Sequence, residues 1–516
     1  MTGLDSAGLD PAIAALLEAL TPQQRAVLQA RLATGPDNRR VRASASQRRL
    51  WFLSQWDTNS ASYHVAQSWR LSGYLDLGAL KEAFDHVVAR HRPLRTTFEL
   101  TEENLYQIVH NPAPVPFDIA DTSTEPDPQA SAEQLSRAHR QRPFDLDTAP
   151  LLRVLLVRLR PDDYVLSLVL HHLTCDAWSI GVLYEDVATA YAHLRAGRQP
   201  SLPPLPVQYT DVALWEHSQE VGDELLDFWR TAVSGLEPVE LPTDHPRPDL
   251  ASGAGASIPL HLDTDLTVRI RQFAVDEGVT VFMVLMASLQ VLLLRYTGQE
   301  DFAVGIPIAG RTARDTERLV GPFFNVLPVR SDARGSLTFR ELVRRVRQRV
   351  LDVFAHQQAP FDRLVDLADA DRHPGRHPLF QVTLAVQNVP NDVLTLDGMQ
   401  ARFLPLPSDT SKLDLAFVLA EDADGITGQL EWATELFESD TAAALRTRWL
   451  DIIDAALAEP QCPMRELPMS GGMQPIGSPG TGGTLCLHEL FEEWVGRVPG
   501  AVAVVGAGGV LTYGEL

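Results

Sequence analysis

The sequence predicts an α+β fold built as two lobes, and three observations lead to this prediction. Apolar residues recur at helical spacing over 77–90, and strand-like runs at 151–159 and 164–170 flank a Pro-Asp-Asp turn. The proline-rich stretch 199–206 then interrupts the chain, and past residue 220 the order helix, strand, helix, strand recurs. Helices and strands therefore lie on both sides of one break, although no residue-level repeat relates the two halves.

The first lobe is predicted to contain a helix and a hairpin that ends at two adjacent histidines. The helix over 77–90 buries one face, made of Leu80, Phe84, Val87 and Val88. Successive residues of a strand point to opposite faces, so His172 falls on the face of Leu166, Leu168 and Leu170, and His171 on that of Val165, Ser167 and Val169. A helix begins near Trp178, and Asp176 therefore lies close to its N-terminus, where a carboxylate is favoured.

The second lobe is predicted to contain a long apolar helix near 280–296 and a strand over 302–308. The stretch 463–484 is rich in Gly, Pro, Ser and Met and is typical of a linker. Beyond it, 487–495 is predicted to be a short amphipathic helix, and 502–511 a small hairpin around Gly-Ala-Gly-Gly.

Composition and charge limit the possible partners and compartments. The 516 residues contain 44 Lys+Arg and 67 Asp+Glu, a net charge of −23, which argues against a nucleic-acid or anionic-membrane partner. The three cysteines, Cys175, Cys462 and Cys486, show no metal-ligand spacing, and their odd number is no disulfide framework. The sequence shows no signal peptide, and the most apolar stretch, 281–294, is too short to span a bilayer. We therefore expect a cytoplasmic protein that binds no metal.

The segment HHLTCD at 171–176 is the strongest local indication of chemistry. The two histidines point to opposite faces, so they cannot chelate one metal together, and only one can reach a given cavity. A neutral imidazole with a free ring nitrogen is a general base near neutral pH, and Asp176 can brace the turn or the ring. No G-x-S-x-G segment accompanies it, which argues against a serine hydrolase. On this segment alone, two ordinary histidines at a strand end are an equally good interpretation.

Seven short segments occur in a fixed order along the chain. They are SASQRRLWFL at 44–53, RHRPLRTTF at 90–98, HHLTCD at 171–176, QYTDVALW at 208–215, VGPFFNV at 320–326, HQQAPFD at 356–362 and RHPLF at 376–380. In this order they resemble the signature segments of the condensation domains of nonribosomal peptide synthetases, within the chloramphenicol-acetyltransferase-like superfamily. The resemblance implies two chloramphenicol-acetyltransferase-like lobes in a V-shaped pseudodimer, with the active site in a tunnel between them.

The resemblance also implies a reaction and its partners. Donor and acceptor carrier domains would each deliver a phosphopantetheine arm bearing a thioester, and the acceptor amine would attack the donor carbonyl. The domain itself would bind no cofactor. The amine must be neutral, the oxyanion stabilised and water excluded, and holding two tethered arms in line supplies part of the rate.

The resemblance assigns roles to individual residues. His172 matches the family's catalytic histidine, which accepts a proton from the amine or positions it, and His171 is structural. Asp176 matches an aspartate that maintains the site through a salt bridge to an arginine of the segment 90–98, either Arg90 or Arg95. Asn325 matches an asparagine near the tunnel. A polar role toward the substrate and a loop-capping role are both open for it.

Two positions near His172 depart from the simplest expectation. The family has glycine where this chain has Ala177, and the extra methyl either narrows the acceptor side of the tunnel or has no effect. The thiol of Cys175 lies between His172 and Asp176. We interpret it as a small buried side chain on a turn rather than as a nucleophile.

The C-terminal residues carry a second resemblance. The segments at 487–494, 499–505 and 511–516 look like the start of an adenylation domain, so we expect a downstream adenylation domain in the same chain. The stretch before residue 41 is either a docking element for an upstream synthetase in trans or a helical lead-in. The predicted domains are 1–40 for this stretch, 41–215 and 216–462 for the two lobes, 463–484 for the linker and 485–516 for the adenylation fragment.

The subtype is predicted by comparison of signatures. The intact HHxxxD segment excludes the heterocyclisation and oxygenase-recruiting forms, and an adenylation start argues against an epimerisation domain. The opening segment resembles the subtype that joins an L donor to an L acceptor. Starter and modified-residue subtypes remain as alternatives, as does a non-catalytic domain that recruits carrier or tailoring proteins. A standalone acyltransferase that uses a soluble thioester is disfavoured by the adenylation segments.

Overall fold

A computed structural model describes residues 40–56, 61–219, 222–334, 336–369, 375–387, 394–405, 407–421, 425–469, 502–506 and 509–512. Apart from Arg40, the predicted segment 1–40 lies outside these residues, as do Cys486 and the predicted helix 487–495. The seven signature segments all lie within the described ranges.

Helices and strands alternate irregularly along the described chain, as an α+β fold requires. Two short 3-10 turns, Arg92–Arg95 and Arg314–Thr316, accompany them. The elements of the first half are β1 (Arg40–Arg42), α1 (Ala45–Trp56), β2 (His64–Gly73), α2 (Leu77–Arg90), β3 (Thr96–Leu100), β4 (Leu105–Val109), β5 (Phe117–Asp121), α3 (Pro128–Gln141), β6 (Leu152–Arg160), β7 (Asp163–His171), α4 (Ala177–Arg195), α5 (Tyr209–Ser218) and α6 (Asp223–Val233).

The second half continues the same mixture of elements. They are β8 (Gly255–Leu262), α7 (Thr264–Glu277), α8 (Val281–Thr297), β9 (Ala303–Ile308), β10 (Asn325–Arg330), α9 (Phe339–Ala355), α10 (Phe361–Ala368), β11 (Val382–Gln387), β12 (Met399–Phe403), β13 (Leu415–Glu421), β14 (Ile426–Ala433), α11 (Ser439–Ala458), β15 (Val502–Gly506) and β16 (Gly509–Thr512). The predicted α+β class with two lobes is confirmed.

The first lobe is built on a five-stranded sheet in the order β12-β2-β7-β6-β5, beside a three-stranded sheet in the order β1-β4-β3. The predicted helix 77–90 is confirmed as α2, and Asp76 caps it by accepting the backbone N–H of Ala79. The predicted hairpin is confirmed as β6 and β7, which pair antiparallel. Leu166, Leu168 and Leu170 of β7 pack with α2 and α4 in the core of this lobe, whereas Val165 packs with Leu155 and Leu159 in a separate cluster.

The second lobe is built on a six-stranded sheet in the order β10-β9-β11-β13-β14-β8. The predicted apolar helix is confirmed as α8, which is buried along most of its length because it passes through the centre of the largest core cluster. Thr280 caps the helix by accepting the backbone N–H of Met283, and Gly298 ends it in the left-handed conformation that glycine adopts readily.

One strand crosses from the second half of the chain into the first lobe. Strand β12 pairs antiparallel with β2, in a register that places Met399 opposite Gly73 and Phe403 opposite Trp69. Leu394 and Leu396, which precede it, are buried in the first lobe's core. The prediction that 216–462 forms one continuous second lobe is therefore wrong, because β12 lies within that range and is an edge strand of the first lobe's five-stranded sheet.

The start of the predicted linker also needs correction. Met464 and Leu467 are buried in the core of the second lobe, and Pro463 forms an isolated bridge with Thr338. Residues 463–469 are thus part of the folded lobe, because two apolar side chains anchor a segment whose composition alone is typical of a linker. The predicted hairpin near the C-terminus is confirmed as β15 and β16.

Within the described residues, no single helix has both the length and the apolar character needed to cross a membrane. Only α7 and α8 taken together meet those criteria, and they are bent by 104° relative to each other.

Candidate active site

His172 lies on the turn between β7 and α4, where two hydrogen bonds and one ring contact hold it. Its backbone N–H donates to the carbonyl of Tyr63 at 2.8 Å, and its Nδ1 lies 2.8 Å from the carbonyl oxygen of Cys175. Because a carbonyl only accepts, Nδ1 must carry the proton, and the lone pair of the neutral ring is on Nε2. The ring also packs against Phe324 of the second lobe, with centroids 4.4 Å apart. The turn therefore fixes both the tautomer and the orientation of this imidazole.

The surroundings of His172 keep its ring uncharged. Burial lowers its pKa to about 3, and the positive charges of Lys412 and Arg49 act in the same direction. The side chain is nevertheless only half-buried. The imidazole is thus surrounded mainly by protein, while part of the residue reaches solvent.

His171 points away from His172, as the alternation of β7 predicts. It is 4% exposed, and its ring makes edge-on contacts with His64 and Phe144. Its Nδ1 accepts the backbone N–H of Leu173 at 3.2 Å, and burial holds its pKa well below the usual value. The two adjacent histidines thus have different surroundings, and His171 lines a cavity together with Trp51 and Phe144, whereas His172 does not.

Asp176 caps α4 and also ties the two lobes together. Its Oδ1 accepts the backbone N–H of Ser179 at 2.8 Å, and the backbone N–H of Asp176 donates to the Ser179 hydroxyl oxygen at 3.2 Å, which completes a capping box. The Ser179 hydroxyl also donates to Oδ1 at 2.6 Å. The same oxygen is 2.9 Å from Nη2 of Arg311, and Oδ2 accepts the backbone N–H of Phe323 at 3.1 Å. Both partners in the second lobe come from the segment between β9 and β10.

The prediction that Arg90 or Arg95 pairs with Asp176 is wrong. Arg90 donates from Nε to Asp186 at 2.8 Å, and Arg95 donates to the backbone carbonyls of His110 and Ala89. The physical reason is position: the segment 90–98 lies beside the middle of α4, where Asp186 is, whereas the helix N-terminus faces the second lobe. Arg90 is a structuring residue with a different acid, and Arg95 braces a strand end.

Cys175 acts through its backbone rather than its thiol. The side chain is fully buried, and burial together with the charge of Asp176 raises the pKa of the thiol well above its usual value. Its carbonyl is the group that orients His172. A protonated, enclosed thiol is not a nucleophile, which supports the interpretation of a small buried side chain on a turn.

Ala177 and Asn325 are placed by local backbone geometry. Ala177 is the exposed first residue of α4, and Asp369 is the only non-glycine with positive φ among the described residues, so Ala177 needs no backbone angle that alanine resists. Asn325 donates from Nδ2 to the carbonyl of Ala359 at 2.8 Å, while its Oδ1 accepts the backbone N–H of Val326. These bonds favour the loop-capping role for the asparagine.

Sequence reasoning missed three cations that interact with the segment 171–176. Arg311 follows β9, and nothing in the spacing pointed to it, because 135 residues separate it from Asp176. Arg49 lies in the opening segment 44–53, and Lys412 precedes β13; both influence His172 through charge. Lys412 is one of only two lysines in the sequence, which is the one feature that could have drawn attention to it.

The described residues include no cluster of His, Cys, Asp or Glu arranged to hold a metal ion. The groups around His172 are instead an imidazole, two cations and aromatic rings. Such a set can accept a hydrogen bond or proton at Nε2 and stabilise negative charge nearby, which suits acyl transfer between an amine and a carbonyl.

Comparison with known proteins gives consistent matches. The family described as "Condensation domain" matches residues 38–471. One of the proteins that make up the linear gramicidin synthase of Brevibacillus parabrevis is 33% identical over 531 residues, covering 99% of this chain but 7% of its own length. The dimodular nonribosomal peptide synthase of Bacillus subtilis (strain 168) is 35% identical over 538 residues, covering 98% of this chain and 22% of its own length. The chain thus spans less than a quarter of either relative.

Solved structures share the fold. The X-domain in its complex with OxyB from teicoplanin biosynthesis is 30% identical, with a TM-score of 0.76 over 84% of this chain and 96% of that one. The first condensation domain of the calcium-dependent antibiotic synthetase gives a TM-score of 0.71 at 23% identity, over 84% of this chain and 100% of that one.

Proposed function

This chain belongs to the condensation-domain family of nonribosomal peptide synthetases, and on that premise we propose that it forms a peptide bond. The acceptor is the amine of a carrier-bound aminoacyl group, and the donor is a carrier-bound acyl or peptidyl thioester. The observation that carries the proposal is the hydrogen bond from Nδ1 of His172 to the Cys175 carbonyl, which leaves Nε2 free to face the amine.

The low pKa of His172 bears on the manner of catalysis. An imidazole with a pKa of about 3 does not remove a proton from an ammonium group at neutral pH, but it accepts a hydrogen bond from a neutral amine. As the C–N bond forms, the amine nitrogen becomes positively charged and far more acidic, and the proton then passes to Nε2. His172 therefore orients the amine first and takes its proton late.

The partners follow from the same proposal. Two carrier domains present phosphopantetheine arms, which reach the histidine from opposite ends of the channel between the lobes. The segments at 487–494, 499–505 and 511–516 support a downstream adenylation domain in the same chain, and residues 1–40 are either a docking element for an upstream synthetase or a helical lead-in. The opening segment 44–53 favours an L donor and an L acceptor.

The test of this function loads donor and acceptor on carrier proteins and detects the dipeptidyl thioester by mass spectrometry. The wild type should form product, and His172→Ala should reduce its rate by at least 10²-fold, as expected for loss of a general base. His171→Ala is unsuitable as a control because it opens the first lobe's interior. His193→Ala, on the last turn of α4, removes a histidine without touching the site. Equal rates for wild type and His172→Ala would reject the proposal.

A second candidate is a non-catalytic domain that recruits another protein. The match to the X-domain, which forms a complex with OxyB, favours it. In that case wild type and His172→Ala would give the same yield of dipeptide, while both would bind the recruited protein equally in a pull-down with a purified partner.

A further inference from the structure

The positive charge of Lys412 acts on His172, yet the proposed function gives this lysine no role. It stands between β12 and β13, on the segment that returns from the first lobe to the second. Its side chain is exposed to solvent, yet burial is the main influence on its pKa, which is lowered. Lys412 thus has protein close to its ammonium, while part of the residue reaches solvent.

Two contacts connect Lys412 to His172. Its Nζ lies 5.4 Å from the centroid of the Tyr63 ring, and the carbonyl of Tyr63 accepts the backbone N–H of His172 at 2.8 Å. The ammonium therefore sits over the side chain of the residue that anchors the histidine backbone. Its charge is also felt by His171 and Cys175, which places it near the whole turn.

The ammonium has no anionic partner at contact distance. Among the described residues, Lys412 contacts the Tyr63 ring but forms neither a hydrogen bond nor an ion pair. Glu431 of β14 is the nearest opposing charge to influence it, but that carboxylate is held by Gln429 at 2.6 Å and its pKa is raised by burial. Arg49 adds a second positive charge, with its guanidinium 4.3 Å from the Phe361 ring. The surroundings of His172 thus carry an excess of positive charge.

We propose that Lys412 is a further functional residue of this site, which stabilises the negative charge formed on the donor carbonyl oxygen during condensation. The inference rests on the proposed function. The amine lone pair forms the C–N bond, and the carbonyl π pair moves to oxygen, which becomes the oxyanion facing Lys412. The nitrogen gives its proton to His172. The oxyanion then reforms the carbonyl, the C–S bond breaks, and the leaving thiolate takes that proton from His172 to become a thiol.

The physical basis is that a cation with no ion-pair partner, held close to the protein, is in place before the reaction begins. Such a group interacts more strongly with a developing charge than it would in water, and it needs no reorganisation at the moment of reaction. The same charge discourages protonation of His172 and so keeps Nε2 available for the amine. The ammonium of Lys412 therefore stabilises the oxyanion and also keeps the lone pair on Nε2 of His172 free of a proton.

The chain offers a matched control for this group. Lys81 of α2 is the other lysine, and its Nζ lies 5.3 Å from the centroid of the Phe117 ring. The pair Lys412→Met and Lys81→Met thus removes the same kind of ammonium–ring contact at two places, only one of which is beside His172. Lys412→Arg retains the charge.

The first measurement is the single-turnover rate of dipeptidyl thioester formation with saturating carriers. We expect Lys412→Met to lower the rate by about 10²-fold, the usual effect of losing one oxyanion-stabilising group, with carrier affinity unchanged. Lys412→Arg should stay within about tenfold of wild type, and Lys81→Met should equal it. A Lys412→Met protein that turns over like wild type overturns this inference while leaving the condensation function intact. Failure of wild type and His172→Ala to differ would reject both.

The second measurement does not depend on turnover. Labelling lysine at Cε gives two NMR signals, assigned with Lys81→Met. Lys412 should titrate below the usual pKa of a lysine side chain, and Lys412→Met should raise the pKa of His172, because a positive charge near the ring has been removed. Titration of Lys412 at the usual lysine value, or an unchanged His172 in folded Lys412→Met, would show that the ammonium does not face the site and would overturn the inference.

Discussion

Asp176 and Arg311 form a buried ion pair that joins the two lobes at the active site. The atoms are 2.9 Å apart, and the two side chains are 4% and 2% exposed. Arg311 also donates to the carbonyls of Thr316 and Leu319, and its guanidinium stacks over the Phe323 ring at 4.0 Å. The aspartate that caps α4 is therefore held by one arginine that organises the whole facing loop.

The first prediction concerns the loss of this pair. Asp176→Ala leaves Arg311 buried without its anion and removes the cap of α4, so we expect it to lower the free energy of unfolding by about 3–5 kcal/mol. Denaturant unfolding measures the change. Asp176→Ala/Arg311→Met should recover part of the loss, because the double variant buries no lone charge.

A matched control comes from an exposed pair of the first lobe. Arg40 and Glu99 are 3.3 Å apart, but about half of each side chain is exposed. Glu99→Ala should therefore change the free energy of unfolding by no more than about 1 kcal/mol. If Asp176→Ala lowered the free energy of unfolding no more than Glu99→Ala, the stability of the protein would not depend on the buried pair.

The second prediction concerns the pH dependence of condensation. With a pKa of about 3, His172 stays neutral over pH 5.5–8.5, so only the acceptor amine, with a pKa of about 8, titrates in that window. The logarithm of the single-turnover rate should rise with pH at a slope of one below the amine pKa. A slope that approaches two below pH 6.5 would mean that His172 also loses a proton there, contrary to its environment.

The third prediction concerns Cys175. Its thiol is buried and protonated at neutral pH, so iodoacetamide at pH 8 should leave it unmodified in the folded protein and label it after denaturation. Peptide mass spectrometry reads the outcome. Cys175→Ala should keep the condensation rate within about threefold, since the backbone carbonyl that holds His172 remains. Loss of turnover in a folded Cys175→Ala protein would instead favour a covalent role.

The fourth prediction concerns the alanine that replaces the family's glycine. Ala177 is exposed at the first position of α4, with no positive φ to relieve. Ala177→Gly should therefore lower the free energy of unfolding by no more than about 1 kcal/mol and leave turnover similar across several acceptors. A gain in rate confined to bulky acceptors would show that the methyl limits the channel.

Features that depend on neighbouring residues were predictable from the sequence. The helix over 77–90 follows from the spacing of its apolar residues, and the opposite faces of His171 and His172 follow from strand alternation. The proximity of Asp176 to a helix N-terminus follows from the turn that precedes α4. In each case the physical cause lies within a few residues of the effect.

Features that depend on distant parts of the chain were not predictable. Arg311 meets Asp176 only because the loop after β9 packs on α4, and arginines at 90 and 95 were nearer in sequence but already paired elsewhere. The charge on Lys412 and the crossing of β12 depend on the same tertiary arrangement. Burial of Met464 and Leu467 was also not predictable, because the segment that contains them has the composition of a linker.

Because β12 crosses into the first lobe, the two lobes should be exchanged together when domains are recombined between synthetases. A recombination breakpoint between α5 and α6 would pair β2 with a strand from another synthetase, and a first lobe cut there would leave the N–H and C=O groups of β2 unpaired in solvent. Such an open edge recruits strands from other molecules. Chimaeric synthetases should therefore be joined outside residues 40–469, and a first lobe produced alone would need residues 399–403 supplied in trans to close its edge.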